Sequence, residues 1–127
     1  MFFGYFVIFS NILLFSEAIP VYQPFSGHFT YYNDRGTGAC GNYLDASSEM
    51  LVAVSHEWFT EANPNNDPLC RYCLKIDYKD KSITVPIKDK CPSCLKDHMD
   101  LSQPAFSALE NLDVGNAYGA TFTFVNC

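Results

Sequence analysis

Six cysteines in a chain of 127 residues constrain this protein more than any other feature. They are Cys40, Cys70, Cys73, Cys91, Cys94 and Cys127, and four of them form C-x2-C, then 17 residues, then C-x2-C. That spacing lies within the zinc-ribbon range. Three observations favour disulfides over zinc. The cysteine number is even, and a zinc site built from the two C-x2-C pairs would leave Cys40 and Cys127 as free thiols. The third concerns compartment. The first 18 residues, MFFGYFVIFSNILLFSEA, are apolar from Phe2 to Phe15 and end on small residues at Ser16 and Ala18, the pattern of a cleaved secretory signal. Ser10 and Asn11 interrupt a run already short for a bilayer span, which argues against a membrane anchor. A secreted, extracellular chain meets oxidising conditions, where disulfides persist. Each long loop closed in the unfolded chain contributes about 3 to 4 kcal/mol. A redox role for Cys91-Pro-Ser-Cys94 is disfavoured because the helix signals come later, whereas a reactive thiolate needs a helix N-terminus at the first cysteine.

Cleavage after Ala18 leaves residues 19–127 as a single domain with a formal charge of −5, since Glu17 is the one charged residue removed. A net negative field repels nucleic-acid phosphates and anionic membranes, so the expected partners include neither. Neutral polymers carry no such penalty. No repeat, linker or N-x-[ST] sequon is visible, and the domain reads as a monomer without cofactor or metal. His28, His56 and His98 lack the helical spacing of a zinc triad.

Along the chain, "SGHFTYY" (26–32) alternates as a strand, with Phe29 and Tyr31 on one face and Thr30 and Tyr32 on the other. "DRGTGACGNY" (34–43) reads as a glycine-rich loop and "MLVAV" (50–54) as a short buried strand. "SHEWFTEANPNNDP" (55–68) begins as a helical turn and dissolves into a surface loop, with Trp58 and Phe59 expected in the core. Residues 73–78 and 81–87 read as a hairpin about Lys79-Asp80, with Leu74, Ile76 and Tyr78 sharing a face. Ser102 can cap a helix that has Pro104 in its first turn, and Phe106, Leu109 and Leu112 recur at helical spacing. "GATFTFVNC" (119–127) closes the chain as a strand. Short strands with one or two short helices describe a mainly β fold, a small barrel.

"GHFTYY", "GTGACG", "LCRYC", "VPIKDKCPSC", "DLSQPAF" and the terminal "VNC" occur in the order seen in secreted double-psi β-barrels. The chain resembles the expansin, loosenin, barwin and rare-lipoprotein-A-like group, and within it the single-domain, loosenin-like proteins of fungi. The resemblance implies a six-stranded double-psi β-barrel with a polysaccharide-binding groove. It also implies the pairings Cys40 with Cys70, Cys73 with Cys127, and Cys91 with Cys94. Asp100 of Asp-Leu-Ser matches the indispensable groove acid and Asp89 the second. Thr30 matches the first-strand hydroxyl and Tyr31 the strand aromatic, which makes Thr30, Tyr31, Asp89 and Asp100 the expected substrate-binding set. The chain departs from the group at His98-Met99-Asp100, where an aromatic is lost, and at Cys91, where some bacterial expansins carry a tyrosine.

Carboxylates and hydroxyls beside aromatic rings suit sugars. Two neighbouring acids disfavour joint ionisation, so one stays protonated, as a general acid must. The resulting expectation is a protein that binds cell-wall polysaccharide (cellulose, chitin or peptidoglycan) and loosens it without net hydrolysis. Two alternatives stand beside it. One is a weak glycosidase or lytic transglycosylase using Asp100, with Asp34 as base; Asp34 lies four residues after Thr30, as the base does in small endoglucanases of this barrel. The other is a cysteine-protease inhibitor or defence or effector protein that binds a protein target, with 62–68 as its protruding loop. The mature oxidised chain should weigh six hydrogens less than its reduced form by intact mass, with no zinc by elemental analysis; bound zinc would overturn the disulfide reading.

Overall fold

The apolar alternation about Lys79-Asp80 resolves into an antiparallel hairpin in which Leu74 faces Val85 and Ile76 faces Ile83. Lys79 takes the left-handed turn conformation, φ +55°. The computed structural model describes residues 19–127, and the candidate signal peptide 1–18 lies outside the described residues. The strands are β1 (Phe25–Tyr32), β2 (Arg35–Thr37), β3 (Tyr43–Asp45), β4 (Val52–Ser55), β5 (Tyr72–Tyr78), β6 (Lys81–Cys91), β7 (His98–Ser102) and β8 (Ala117–Asn126), with helix α1 (Gln103–Ser107) after β7. Six of them close a barrel in the order β1-β7-β4-β6-β5-β8, while β2 and β3 form a separate two-stranded ribbon. Two contacts are parallel, β1 with β7 and β4 with β6. Parallel neighbours cannot be joined by tight turns, so the chain crosses over twice.

The interior is filled by Phe29, Val54, Leu74, Ile76, Ile87, Met99, Leu101, Phe122 and Phe124, and Phe106 of α1 packs into the same cluster. Trp58 and Phe59 pack against that cluster from its edge, as expected. The Trp58 ring lies 5.1 Å from Phe25 and 5.0 Å from Phe124.

The bridges are Cys40–Cys70, Cys73–Cys127 and Cys91–Cys94, the pairings that the resemblance implied, and they account for all six cysteines.

Three stretches differ from expectation. The segment 34–43 contains β2 and leads into β3, so it is part of a ribbon. Helix α1 is capped by Ser102, whose hydroxyl accepts from the Ala105 N–H, but it ends at Ser107. Leu112 falls instead in a separate 3-10 turn, Leu112–Val114, because Asn111 caps a new start through its side chain. The loop 55–68 is built from 3-10 turns at His56–Trp58 and Pro64–Asn66, and a third follows at Pro68–Arg71.

Gly27 has a steric role. A Cβ there would stand 2.1 Å from the Asp97 carbonyl oxygen and 2.6 Å from the Phe122 ring. The β1–β8 register shifts between Gly27 and His28, and His28 N–H donates to that same carbonyl. Gly27→Ala should therefore cost about 2 kcal/mol or more by overpacking, read as a fall in Tm of roughly 10 °C. An unchanged Tm would show that the bulge can yield.

Candidate functional site

The period-two alternation of β1 sends Phe29 inward and leaves His28, Thr30 and Tyr32 on the outer face. Parallel pairing with β7 sets His28 opposite His98, Thr30 opposite Asp100 and Tyr32 opposite Ser102. On the far side of β7, Ala53 of β4 pairs with Asp100, and Ala53 also pairs with Asp89 of β6. Thr30, Asp100, Ala53 and Asp89 therefore form one row across four adjacent strands. Ala53 is the small member, and Tyr32 packs against it and against the Cys91–Cys94 bridge.

The row is fixed by short hydrogen bonds. Thr30 Oγ1 donates to Asp100 Oδ1 at 2.8 Å. With its single proton committed there, the Thr30 oxygen accepts from His98 Nε2–H, also at 2.8 Å. Tyr32 crosses over Ala53 and donates its hydroxyl to Asp89 Oδ2 at 2.8 Å. The other Asp89 oxygen accepts from the Ala39 N–H at 2.8 Å. Gly38 makes that last bond reachable: a Cβ there would meet the Lys88 carbonyl oxygen at 2.7 Å, so only glycine lets the loop lie this close to β6.

Burial, opposed in part by the Thr30 bond, raises the Asp100 carboxyl above its ordinary range, and the negative charges of Asp34 and Asp89 act the same way. Burial and the Asp89 charge hold the Tyr32 phenol well above its usual value, so it remains a donor at any physiological pH. His98 is pushed down by burial and then by the adjacent His28. The site thus favours a neutral imidazole and a carboxyl that keeps its proton longer than usual. Thr30 occupies Oδ1, which leaves Oδ2 of Asp100 to carry that proton.

Of the expected residues, the structure brings together Thr30, Asp89 and Asp100. Asp34 is exposed and close enough to act electrostatically on Asp100 and Tyr32. Tyr31 does not join them. As the alternation requires, it turns to the opposite face and packs 4.8 Å from the Phe106 ring. Tyr32 takes the place in the row that was expected of Tyr31. Ala53 was not singled out from sequence and His98 was noted only for lacking zinc-triad spacing and as part of His98-Met99-Asp100; the signal for both was register with β1 and β6 rather than residue type.

The loop before β5 is braced separately. The buried Asp67 carboxylate accepts from the N–H groups of Thr60, Glu61 and Leu69 at 2.7, 2.9 and 3.0 Å. Asn63 Oδ1 accepts from the Asn65 N–H, and Cys70 ties the loop to Cys40. Asn65 lies against Gly41, where an added Cβ would be 3.0 Å away. This loop and the wall that holds Asp89 are therefore neighbours.

Residues 25–120 match the family described as lytic transglycolase, a double-psi β-barrel family. The chain belongs to that family. Within its reach, a papain inhibitor of Streptomyces mobaraensis is 51% identical over 111 residues, covering 87% of this chain and 78% of the inhibitor. The solved Streptomyces papain inhibitor has a TM-score of 0.84 and 51% identity, over 86% of this chain and 100% of its own. A Clavibacter michiganensis expansin, solved as an Asp-to-Asn mutant in complex with cellohexaose, shares this double-psi fold at 25% identity and a TM-score of 0.67. The match covers 82% of this chain and about half, 51%, of the expansin.

The raised Asp100 pKa has a stability consequence of definite sign. A carboxyl whose folded pKa exceeds its unfolded value stabilises the fold fully below the unfolded value and loses that contribution as pH rises through the folded one. Asp100→Asn removes the ionisation and should raise Tm at pH 7 relative to the parent, with the advantage vanishing in acid. A lower Tm at pH 7 would contradict the assignment.

Proposed function

We propose that this chain is a secreted inhibitor of papain-class cysteine proteases that presents the loop 62–68 to its target, with 19–127 as the mature domain. The observation that carries this reading is the 51% identity with a papain inhibitor together with coverage of the whole of that solved chain. The loop geometry agrees with it. Asp67, the Asn63 cap and the Cys40–Cys70 bridge order the segment before any partner arrives, which reduces the entropy lost on binding. Ala62, Asn63, Asn65 and Asn66 remain exposed at its tip. Pro64 and Pro68 open 3-10 turns, so the tip is not an extended strand of the kind a protease threads as substrate.

A second reading concerns the Asp100 face, and the row Thr30–Asp100–Ala53–Asp89 favours it. That face supplies hydroxyl, carboxyl and carboxylate groups in one line, suited to the hydroxyls of a polysaccharide docked or loosened without net hydrolysis. A weak glycosidase or lytic transglycosylase would use the Asp100 proton on a glycosidic oxygen, with Asp34 as base. Asp89 has both oxygens engaged and serves to orient. The fold shared with the expansin in complex with cellohexaose supports this reading.

The two readings make separable demands. Papain titrated with the oxidised chain should be inhibited, and Asn65→Glu with Asn66→Glu, both exposed, should weaken inhibition about tenfold or more. Deletion of 62–68 should abolish it, whereas Asp100→Asn should leave it unchanged. A parent chain that leaves papain fully active would overturn the inhibitor reading.

A further inference from the structure

Beside the acid row lies a second row, made of rings. His28 of β1 pairs with Tyr118 of β8 on one side and with His98 of β7 on the other. The three rings stack: His28 and Tyr118 are 4.9 Å apart at 16°, and His28 and His98 are 4.4 Å apart at 24°. Asn116 holds the central ring, His28, and the end ring, Tyr118. Its Oδ1 accepts from His28 Nδ1–H at 2.8 Å, and its Nδ2 donates to the Tyr118 hydroxyl at 3.2 Å. One face of Tyr118 is covered by His28, yet the residue is 69% exposed. The ring is thus rigid and has an open face, although nothing in the core needs it.

Tyr118 stands on β8 beside His28, which is two residues along β1 from Thr30, about 7 Å along the strand and on the same side of the sheet. In the closed barrel the rows curve with the wall from β8 through β1, β7 and β4 to β6, and the stretch from Tyr118 to Asp100 crosses two strand spacings, about 10 Å, room for about two sugar rings. The neighbouring charges on Asp100 come from Asp34 and Asp89, both negative, so an anionic polymer is repelled.

We propose that Tyr118, held by His28 and Asn116, is a stacking platform for a ring of a neutral glycan whose chain continues over Thr30, Asp100 and Asp89. This rests on the glycan-docking reading of the Asp100 face and adds its apolar half. The ring supplies a flat apolar face, the row supplies hydrogen bonds, and the charge selects against uronic-acid polymers.

Binding of cellohexaose, chitohexaose and hexagalacturonate to the oxidised protein would be followed by NMR titration, for the parent, Tyr118→Ala, Tyr118→Phe and Asp100→Asn. The expected result is binding of a neutral hexasaccharide, weakened about tenfold by Tyr118→Ala and retained by Tyr118→Phe, with no hexagalacturonate binding. Equal binding by parent and Tyr118→Ala, with Asp100→Asn impaired, overturns the platform alone. A parent that binds neither neutral probe overturns the docking reading and the platform with it. Tighter binding of hexagalacturonate overturns the neutral-glycan assignment. Loss of papain inhibition in Tyr118→Ala with sugar binding intact would place the ring in the protein interface and also overturn the proposal.

Discussion

The parallel ladder between β1 and β7 is the interaction on which the outer face depends. It joins residues about seventy positions apart in sequence and sets two pairs in register, His28 with His98 and Thr30 with Asp100. The stack and the acid row both follow from that alignment. A slip of one residue would turn Thr30 inward and bring Phe29 out, exchanging a hydrogen-bonding face for a buried apolar one. The bulge at Gly27, permitted only because no side chain stands against Asp97 and Phe122, holds the phase where β8 meets β1.

Electrostatics then differentiates groups of the same type. Asp89 accepts at both oxygens, from Tyr32 and Ala39, whereas Asp100 accepts one bond, from Thr30, and burial raises its carboxyl above the ordinary range. Two carboxyl groups in one row thereby differ in their hydrogen bonding, one engaged at both oxygens and one at a single oxygen. Ala53 enables this because a larger side chain would displace the Tyr32 ring that reaches across it.

The parts legible in the sequence were those governed by local periodicity. The 73–87 hairpin, the facing of β1 and the Ser102 cap follow from alternation and side-chain chemistry within a few residues. The disulfide pairings followed from resemblance, because spacing alone leaves many connectivities open. What was not legible depended on contacts distant in sequence. Strand β7 has only Met99 and Leu101 as inward residues within five positions, too few to announce a strand. Tyr31 and Tyr32 could be assigned to opposite faces, yet which face was the outer one became clear only with β7 in place. Asp67 looked like a loop former in "NNDP" and proved to be the buried acceptor that organises its loop. Tyr118 gave no signal, since its partner His28 lies ninety positions earlier.

The antiparallel pairing of β1 with β8 has an architectural consequence. Phe25 faces Phe122 and Val21 bridges to Phe124, so the described chain enters and leaves the barrel at one pole. Cys73–Cys127 fastens that pole to β5. Strand β1 carries Thr30 and Tyr32 toward the opposite pole. A fusion partner, surface tether or labelling tag joined before Ile19 or after Cys127 would hang from the same side, so the domain could be displayed or linked in tandem with the Thr30–Asp100 row turned outward.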